Sequence, residues 1–345
     1  MKVVLFCMNP YSFGILEPIM KVLKQRNYQY VWFVREEVIQ KFPFKNEYIT
    51  SNIKEVVDFK SDALFVPGNE VPHFLRGVKV QVFHGFAGEK KGHFRIRKYF
   101  DLYLTQGPYF TRKFLQLKSK YKDFEVIETG WPKLDVYGQT LHKFDTDKKD
   151  LLNKFNVEKI ILFAPTFSPS LTCAPFLEKE IEHLAIHKNY LIIIKFHDLM
   201  SSEFIKKYKD IADKTSNILY VDERNIIKYL LISDLMISDT SSVVYEFLLL
   251  NKPVITFKTH SKVFKWDNSL TYEKLTEKVK INLEQDPYKK ERKEIFNEYH
   301  PYSDGKSAER MVDATEDYIK KHGVPESREL PWLRRYKMNK MFGKQ

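Results

Sequence analysis

The chain has 345 residues, enough for about two domains, and its 15% aromatic residues exclude an intrinsically disordered protein. Two cysteines, Cys7 and Cys173, exclude a disulfide framework and a cysteine-rich zinc site, and they favour a reducing, cytoplasmic setting. The net charge of +12 implies an anionic partner, which could be nucleic acid, an anionic membrane face or a phosphorylated substrate.

The first half of the chain predicts parallel strands separated by helices. An apolar strand begins at Lys2 ("KVVLFCM"), a helix follows from Ile15 to Gln25, and a second strand lies at Tyr30–Val34. Further strand patterns, each ended by glycine, lie at Ala63–Gly68, Val78–Gly85 and Asp101–Gly107. This order of elements is typical of an open parallel sheet.

A second series of strands begins after the polar stretch His142–Asp150. Its predicted strands lie at Lys159–Pro165, Tyr190–His197, Asn217–Asp222, Asp234–Asp239 and Pro253–Phe257. The sequence therefore predicts an α/β fold with two Rossmann-like, doubly wound domains that face a cleft. The expected divisions are residues 1–145, residues 146–325, and a basic, aromatic tail at 326–345. Ligands of such sheets bind at the carboxyl ends of the strands, so residues that follow strands are the site candidates.

Two histidines follow predicted strands, one in each half of the chain. His84 precedes Gly85, which lets the backbone approach a ligand closely, and a histidine here can perform acid–base chemistry near neutral pH. His197 ends another strand, and Lys195 shares its side of that strand, so the pair can present cationic donors to a phosphate. The alternative is that both histidines are structural residues at strand ends.

The segment that follows Asp234–Asp239 is the most informative. Three small hydroxyl residues precede an apolar helix predicted over Val243–Leu250, namely Thr240, Ser241 and Ser242. Residues of this type at a helix start either cap the helix or bind phosphate. Glu246 lies four residues after the last of them, near the same face, where its carboxylate could bind ribose hydroxyls.

Four further residues are candidates for lining the cleft: Thr166, Asp239, Asp304 and Arg310. Thr166 belongs to the loop "FAPTFSPS", which could instead simply turn the chain. Asp304 precedes a helix that Ser307 could cap, and Arg310, one turn into that helix, could bind a phosphate or a surface acid. The two aspartates are too few to define a magnesium site, so no metal and no cofactor are expected.

Six blocks in this order resemble the CDP-glycerol glycerophosphotransferase family, whose members synthesise teichoic acids and related capsule polymers. The blocks are "FHGFAGEKKG", "TGWPKLDVY", "ILFAPTFSPS", "IIKFHD", "ISDTSSVVYEFLLLNKPVITF" and "DGKSAER", and they span residues 80–320. Phe86 stands where the family pattern has threonine, and Asp198 stands where it has proline. The family's T-D-Y-S-S pattern is present as "SDTSS".

The resemblance implies a GT-B fold, with the acceptor on the first domain and a cytidine nucleotide on the second. It implies that an acceptor hydroxyl attacks the phosphorus that bears the glycerol of CDP-glycerol, and that CMP leaves. His84 is then the expected general base, while His197, with Lys195, stabilises charge on the transferred phosphoryl group. The hydroxyl residues 240–242 would hold the pyrophosphate, and Glu246 would bind the ribose.

The acceptors of this family are lipid-linked or polymeric glycans, so the resemblance implies peripheral attachment to the inner face of the cell membrane. Two segments combine basic and aromatic residues in a way that suits an anionic membrane surface: Glu89–Phe100 and the tail 326–345. The first segment could instead bind an anionic acceptor, and the tail could simply be a solvated end of the chain.

Three other functions remain open on the sequence alone. One is a GT-B glycosyltransferase or a nucleotide-sugar epimerase that uses a UDP- or CMP-sugar. Another is a non-catalytic, membrane-attached assembly protein, against which the pair of strand-end histidines argues. The third is a nucleic-acid-binding module, but the chain lacks any recognisable reading motif, so no nucleic-acid partner is expected.

Overall fold

The computed structural model describes residues 1–86, 92–138, 140–187, 189–223, 225–259 and 265–343. The chain divides into two units, one made of Met1–Gln139 with Glu298–Gln345 and the other of Thr140–Asn297. Among the helices of these described ranges, none combines the length and the apolar character that crossing a membrane requires.

The first unit is built on a parallel sheet of seven strands in the order β3-β2-β1-β4-β5-β6-β7. The strands are β1 (Lys2–Cys7), β2 (Gln29–Val34), β3 (Ile49–Thr50), β4 (Ala63–Val66), β5 (Val78–Gln81), β6 (Leu102–Thr105) and β7 (Glu125–Glu128). The helices between them are α1 (Ser12–Gln25), α2 (Glu36–Ile39), α3 (Ile53–Phe59) and α4 (Pro108–Tyr121). Val4 of β1 pairs with Val31 of β2 and with Leu64 of β4, so the strand order reverses beside the central strand.

The second unit contains a parallel sheet of six strands in the order β10-β9-β8-β11-β12-β13. The strands are β8 (Lys159–Phe163), β9 (Tyr190–Ile194), β10 (Ile218–Tyr220), β11 (Leu235–Ser238), β12 (Val254–Phe257) and β13 (Asp267–Ser269). The helices are α5 (Asp145–Phe155), α6 (Glu178–His187), α7 (Ser202–Lys214), α8 (Ile227–Ile232), α9 (Val243–Leu248), α10 (Leu275–Glu284) and α11 (Lys289–Tyr299). The strand order reverses between β8 and β11, which is where ligands bind in this type of sheet.

The chain then returns to the first unit, which corrects the expected second domain at residues 146–325 and the expected separate tail. The two returning helices are α12 (Ser307–His322) and α13 (Trp332–Phe342). Arg26, after α1, forms an ion pair with Asp313 of α12 at 2.6 Å. A Cβ on Gly107 would clash with the carbonyl of Tyr299, so the returning chain lies directly against the end of β6.

The two parallel-sheet α/β units confirm the expected fold class within each half. The predicted central strands are all present. Most of them are buried apolar runs, whereas β5 also buries Lys79 and Gln81. Three strands were not predicted, and each is an edge strand: β3, β7 and β13. They are short and largely polar, as edge strands commonly are, so their composition does not distinguish them from loops.

Candidate active site

His84 lies three residues beyond β5, at the carboxyl edge of the first sheet, and is exposed. Its Nδ1 lies 3.0 Å from the carbonyl oxygen of Pro67. A carbonyl only accepts hydrogen bonds, so Nδ1 carries the proton, and Nε2 is the basic nitrogen of the neutral ring. The preceding residue, Phe83, has φ 59° in the left-handed region, a conformation that costs a non-glycine residue roughly 1–2 kcal/mol and is often found at functional sites.

Tyr11 is a neighbour of His84 that the sequence did not reveal. It belongs to the loop after β1, and the centroids of the two rings are 5.3 Å apart. Burial raises the pKa of the Tyr11 phenol, although 46% of the residue is exposed. The sequence could have indicated Tyr11 by its position after the central strand, where the strand order reverses.

The residues after His84 are held by the interior of the first unit. The carbonyl of Gly85 accepts a hydrogen bond of 3.0 Å from Gln106 Nε2. Phe86 is fully buried, and its ring packs 5.0 Å from Trp131 and 6.0 Å from His300. This aromatic pocket accommodates the phenylalanine that stands where the family pattern has threonine.

His197 lies three residues beyond β9 and has the opposite protonation pattern. Its Nδ1 accepts a hydrogen bond of 3.1 Å from the backbone N–H of Leu199, so the neutral ring carries its proton on Nε2. Burial lowers the pKa of His197 and favours the neutral ring, although the charge of Asp198 opposes this effect and that of Lys195 aids it. The ring of Phe167 lies against it, with 4.5 Å between the centroids.

Lys195 is only 6% exposed, and its Nζ donates a hydrogen bond of 2.6 Å to the carbonyl of Phe196. Burial lowers its pKa, while the nearby Asp198 and Asp222 oppose that effect. The ammonium group is thus held inside the unit beside the end of β9. A role for it in binding phosphate stays a prediction.

The hydroxyl residues precede α9, as predicted, although the helix ends at Leu248, two residues earlier than expected. Ser242 occupies the N-cap but makes no capping bond with its side chain, and the N–H of Ser241 donates to the carbonyl of Asp239 at 2.8 Å. Thr240 Oγ1 is buried and has no hydrogen-bond partner among the residues that the structure describes. Glu246, in the first turn of α9, is 4% exposed.

Asp239, directly after β11, links its own loop to the loop that follows β8, at the point where the second sheet reverses its strand order. Its Oδ1 accepts the N–H of Thr166 and its Oδ2 accepts the N–H of Cys173, both at 2.9 Å. The residue is 1% exposed, and burial raises the pKa of its carboxyl to about 6. Asp239 therefore organises the loops from inside rather than facing a ligand.

Asp304 and Arg310 belong to the first unit and pair with each other, Arg310 Nη1 donating to Asp304 Oδ2 at 2.6 Å. Arg310 also donates to the carbonyl of Thr129 at 2.8 Å, and its guanidinium lies 4.3 Å from the ring centroid of Tyr302. Of the two readings of Arg310, phosphate ligand or partner of an acid, the structure supports the second. The pair fixes the start of α12.

The cap of α12 also differs from the expectation. Ser307 is not the cap: its N–H and that of Ala308 each donate to the carboxylate of Asp135, at 2.8 Å. Burial raises the pKa of Asp135, while the two N–H groups lower it. The start of this helix is therefore already occupied by an anionic side chain.

Within the described parts of the chain, no cluster of three or more His, Cys, Asp or Glu side chains is arranged to hold a metal ion. Part of the basic segment predicted at Glu89–Phe100 lies outside the described residues, which resume at Gly92. The same holds for Lys344 in the tail.

The family model described as CDP-glycerol:poly(glycerophosphate) glycerophosphotransferase matches residues 12–317. The chain is 27% identical over 233 residues to the teichoic acid glycerol-phosphate primase of Bacillus subtilis (strain 168), covering 63% of this chain and 58% of that protein. It is 29% identical over 296 residues to the teichoic acid ribitol-phosphate polymerase TarL of Staphylococcus aureus (strain NCTC 8325 / PS 47), covering 73% of this chain and 51% of that protein. The chain thus spans little more than half the length of these relatives.

Solved structures share the fold. The wall teichoic acid polymerase TagF superposes with a TM-score of 0.68 at 16% identity, covering 93% of this chain and 89% of that one. The UDP-GlcNAc 2-epimerase from Neisseria meningitidis, bound to UDP-GlcNAc, gives 0.62 at 16% identity, covering 92% and 100%. These likenesses confirm the expected fold type, and the family model confirms the resemblance seen in the sequence. The chain belongs to the CDP-glycerol:poly(glycerophosphate) glycerophosphotransferase family.

Proposed function

We propose that this chain transfers glycerol phosphate, or a similar polyol phosphate, from a CDP-activated donor to a hydroxyl of a lipid-linked or polymeric glycan, with release of CMP. Family membership supports the reaction class. The observation that carries the proposal is that Nδ1 of His84 faces the carbonyl of Pro67, whereas Nδ1 of His197 faces the backbone N–H of Leu199. His84 offers a basic Nε2, and His197 offers an Nε2–H donor.

His84 acts as the general base. As the acceptor oxygen forms its bond to the phosphorus that bears the polyol, Nε2 of His84 takes the hydroxyl proton. The bond between that phosphorus and the oxygen of CMP breaks, and CMP leaves with the electron pair. The hydrogen bond from Nδ1–H to Pro67 keeps the ring in the tautomer that this step needs and stabilises the imidazolium that forms.

His197 stabilises the transferred group. Its Nε2–H donates to a phosphoryl oxygen on which negative charge develops, as preorganised donors do in phosphoryl transfer. A neutral imidazole suffices for this because the hydrogen bond from Leu199 fixes the proton on Nε2. Lys195, buried beside the same strand end, adds positive potential.

The donor pyrophosphate binds at the turn that carries Thr240, Ser241 and Ser242, and Glu246 binds the ribose. The buried, unpartnered Oγ1 of Thr240 supports this placement. A buried hydroxyl without a partner costs roughly 1–3 kcal/mol, and a bound phosphate oxygen would supply the missing partner. The side chain of Ser242 is not used for capping, which leaves its hydroxyl to the donor.

The acceptor is held at a membrane, and the first unit carries a surface suited to that. The two basic segments meet there: Arg328 Nε donates to the carbonyl of Lys98 at 2.7 Å, and the guanidinium of Arg334 lies 5.7 Å from the ring centroid of Tyr99. Burial, together with the charges of Arg95 and Arg334, lowers the pKa of Arg97. Cations crowded in this way favour an anionic partner.

Helix α13 adds apolar side chains to this surface. Met338 is fully buried, which docks the helix on the unit, while Trp332 is 74% exposed and Tyr336 is 65% exposed. No acidic residue follows Glu329 in the sequence. Exposed aromatic rings beside basic residues fit the headgroup layer of an anionic bilayer. We infer peripheral attachment at the inner face of the cell membrane, which the family resemblance also implies.

The proposed reaction is tested by incubating the full chain with CDP-glycerol or CDP-ribitol and a lipid-linked acceptor, and by measuring CMP and the mass of the product. The proposal predicts CMP together with an acceptor heavier by one or more polyol phosphates. The likeness to the epimerase keeps one alternative open. Turnover of a UDP- or CMP-sugar in place of the CDP-polyol would favour that alternative and contradict the proposal.

A further inference from the structure

A single carboxylate closes a loop of the second unit. Thr166 and Cys173, the two residues whose N–H groups bind the oxygens of Asp239, bracket residues 167–172. The backbone inside the loop is also bonded, since the N–H groups of Leu171 and Thr172 donate to the carbonyl of Ser168 at 3.0 and 2.9 Å. Both ends of this short loop are therefore fixed to one buried side chain.

The loop places an aromatic ring on His197. Phe167 is the first residue after Thr166, and it is 38% exposed, so it projects outward from the loop. Its ring lies 4.5 Å from the imidazole of His197, centroid to centroid, at an interplanar angle of 36°. The hydrogen bond from Leu199 N–H holds Nδ1, and Phe167 limits rotation of the ring. Together these two contacts fix the direction of Nε2–H.

The backbone of Asp239 anchors a second element. Its carbonyl accepts the N–H of Ser241 at 2.8 Å, so this residue orders the hydroxyl-bearing turn before α9 as well as the loop. Its carboxylate is buried and bonded to both loop ends, and it does not face the surface. A direct contact with a ligand is thus not its role.

We propose that Asp239 is a positioning residue for His197: its carboxylate fixes the loop 167–172, the loop places Phe167, and Phe167 holds the imidazole with Nε2–H directed outward. The value of that alignment for turnover rests on the proposed function. The series of contacts from Asp239 through Phe167 to His197 does not depend on that function.

Asp239→Asn is the direct test because it keeps the size of the side chain. The amide oxygen can accept one of the two N–H groups, but the amide nitrogen faces the other donor and repels it. One end of the loop is then released. For a misplaced group that acts in the transition state, we expect kcat to fall by about a hundredfold while KM for the donor changes little.

A merely structural role of Asp239 would leave the protonation of His197 unchanged, so this protonation is the second readout. In full-length protein labelled with ¹⁵N-histidine, with the signal assigned by its loss in His197→Ala, the wild type should show one tautomer protonated at Nε2. Asp239→Asn and Phe167→Ala should both show a mixture of tautomers, because an imidazole that Phe167 no longer holds can rotate away from the N–H of Leu199 and lose the bond that fixes its proton. Phe167→Tyr, which keeps the ring, and Ser170→Ala, on the exposed part of the loop, should retain the wild-type signal.

A folded Asp239→Asn variant that keeps the wild-type tautomer of His197 would overturn the proposal, whatever its kcat. If that variant does not fold, Phe167→Ala decides, since Phe167 is partly exposed and its loss leaves the carboxylate bonds intact; an unchanged His197 signal there would equally overturn it. The spectra are recorded on resting protein without substrate. Failure of the proposed reaction would therefore leave the positioning result readable.

Discussion

Neighbouring backbone groups decide what each candidate histidine can do. The sequence located His84 and His197 at strand ends, but nothing in it shows that one ring faces a carbonyl and the other a backbone N–H. The partner of His84 is Pro67, 17 residues earlier in the chain. The partner of His197 is Leu199, whose N–H points toward the imidazole because of the local turn. Position was thus predictable from the strand pattern, and protonation was not.

Buried histidines should make the first unit sensitive to acid. Burial lowers the pKa of His300 to about 4, from an ordinary value of 6.5, and its Nε2 accepts the N–H of Trp131 at 3.0 Å. The unfolded chain therefore binds a proton near pH 6.5 that the folded chain does not bind until about pH 4. The free energy of unfolding should fall as pH decreases through that window, by about 3 kcal/mol for this residue.

His300→Gln tests this, because the amide oxygen can still accept the N–H of Trp131 but does not titrate. In urea unfolding between pH 7.5 and pH 4.5, the wild type should lose more stability on acidification than the variant does. Parallel stability curves for the two proteins would show that His300 does not have the expected pKa.

At the scale of elements, the buried parallel strands were predicted because each predicted segment is rich in apolar residues and ends in a turn. The predicted ends of two of them were placed too far, since β5 ends at Gln81 and β9 ends at Ile194, and His84 and His197 lie in the loops that follow. The edge strands were missed because they are short and largely polar, so their composition resembles that of loops. The true cap of α12 was missed because it depends on a residue distant in sequence, Asp135, which binds the start of a helix 172 residues later.

Asp135 should therefore stabilise the start of α12. Replacing it with alanine removes two charge-assisted hydrogen bonds and should lower the free energy of unfolding by about 1–2 kcal/mol. Asp317→Ala, an exposed acid on the same helix, serves as the control and should cost less than about 0.5 kcal/mol. Equal losses in chemical denaturation would show that Asp135 does not act as a cap.

At the scale of the whole molecule, the sequence predicted two parallel-sheet units and placed their boundary within six residues of Thr140. It did not predict that residues 298–345 return to the first unit. That return depends on long-range contacts, such as the ion pair of Arg328 with Asp101. Part of the net charge of +12 lies on the surface that this return creates. Two of its basic residues, Arg335 and Lys340, make no ion pair within the part of the chain that the structure describes.

Vesicle binding tests the role of that surface. Removing the tail would also remove the buried Met338 and the ion pair of Arg328 with Asp101, so point variants are needed. The wild type should bind vesicles that contain anionic lipid, and the double variant Arg335→Glu, Lys340→Glu should bind about thirtyfold more weakly or worse. Lys280→Glu, Lys290→Glu on the second unit changes the net charge equally and should bind as the wild type does.

Equal binding by the two double variants would show that overall charge attracts the protein to the vesicles and that α13 has no specific role in that binding. Loss of vesicle binding should leave CMP release with a soluble acceptor unchanged, because neither Arg335 nor Lys340 belongs to the proposed chemistry.

In the proposed reaction His84 and His197 carry out the transfer, and CMP release from CDP-glycerol in the presence of acceptor measures their contribution. His84→Ala and His197→Ala, each shown to be folded, should each slow CMP release by about 10²–10⁴-fold, the usual contribution of a general base or an electrostatic donor. His142→Ala, which removes an exposed histidine, should turn over as the wild type does. Wild-type turnover by both the His84 and His197 variants would show that neither histidine takes part in the transfer.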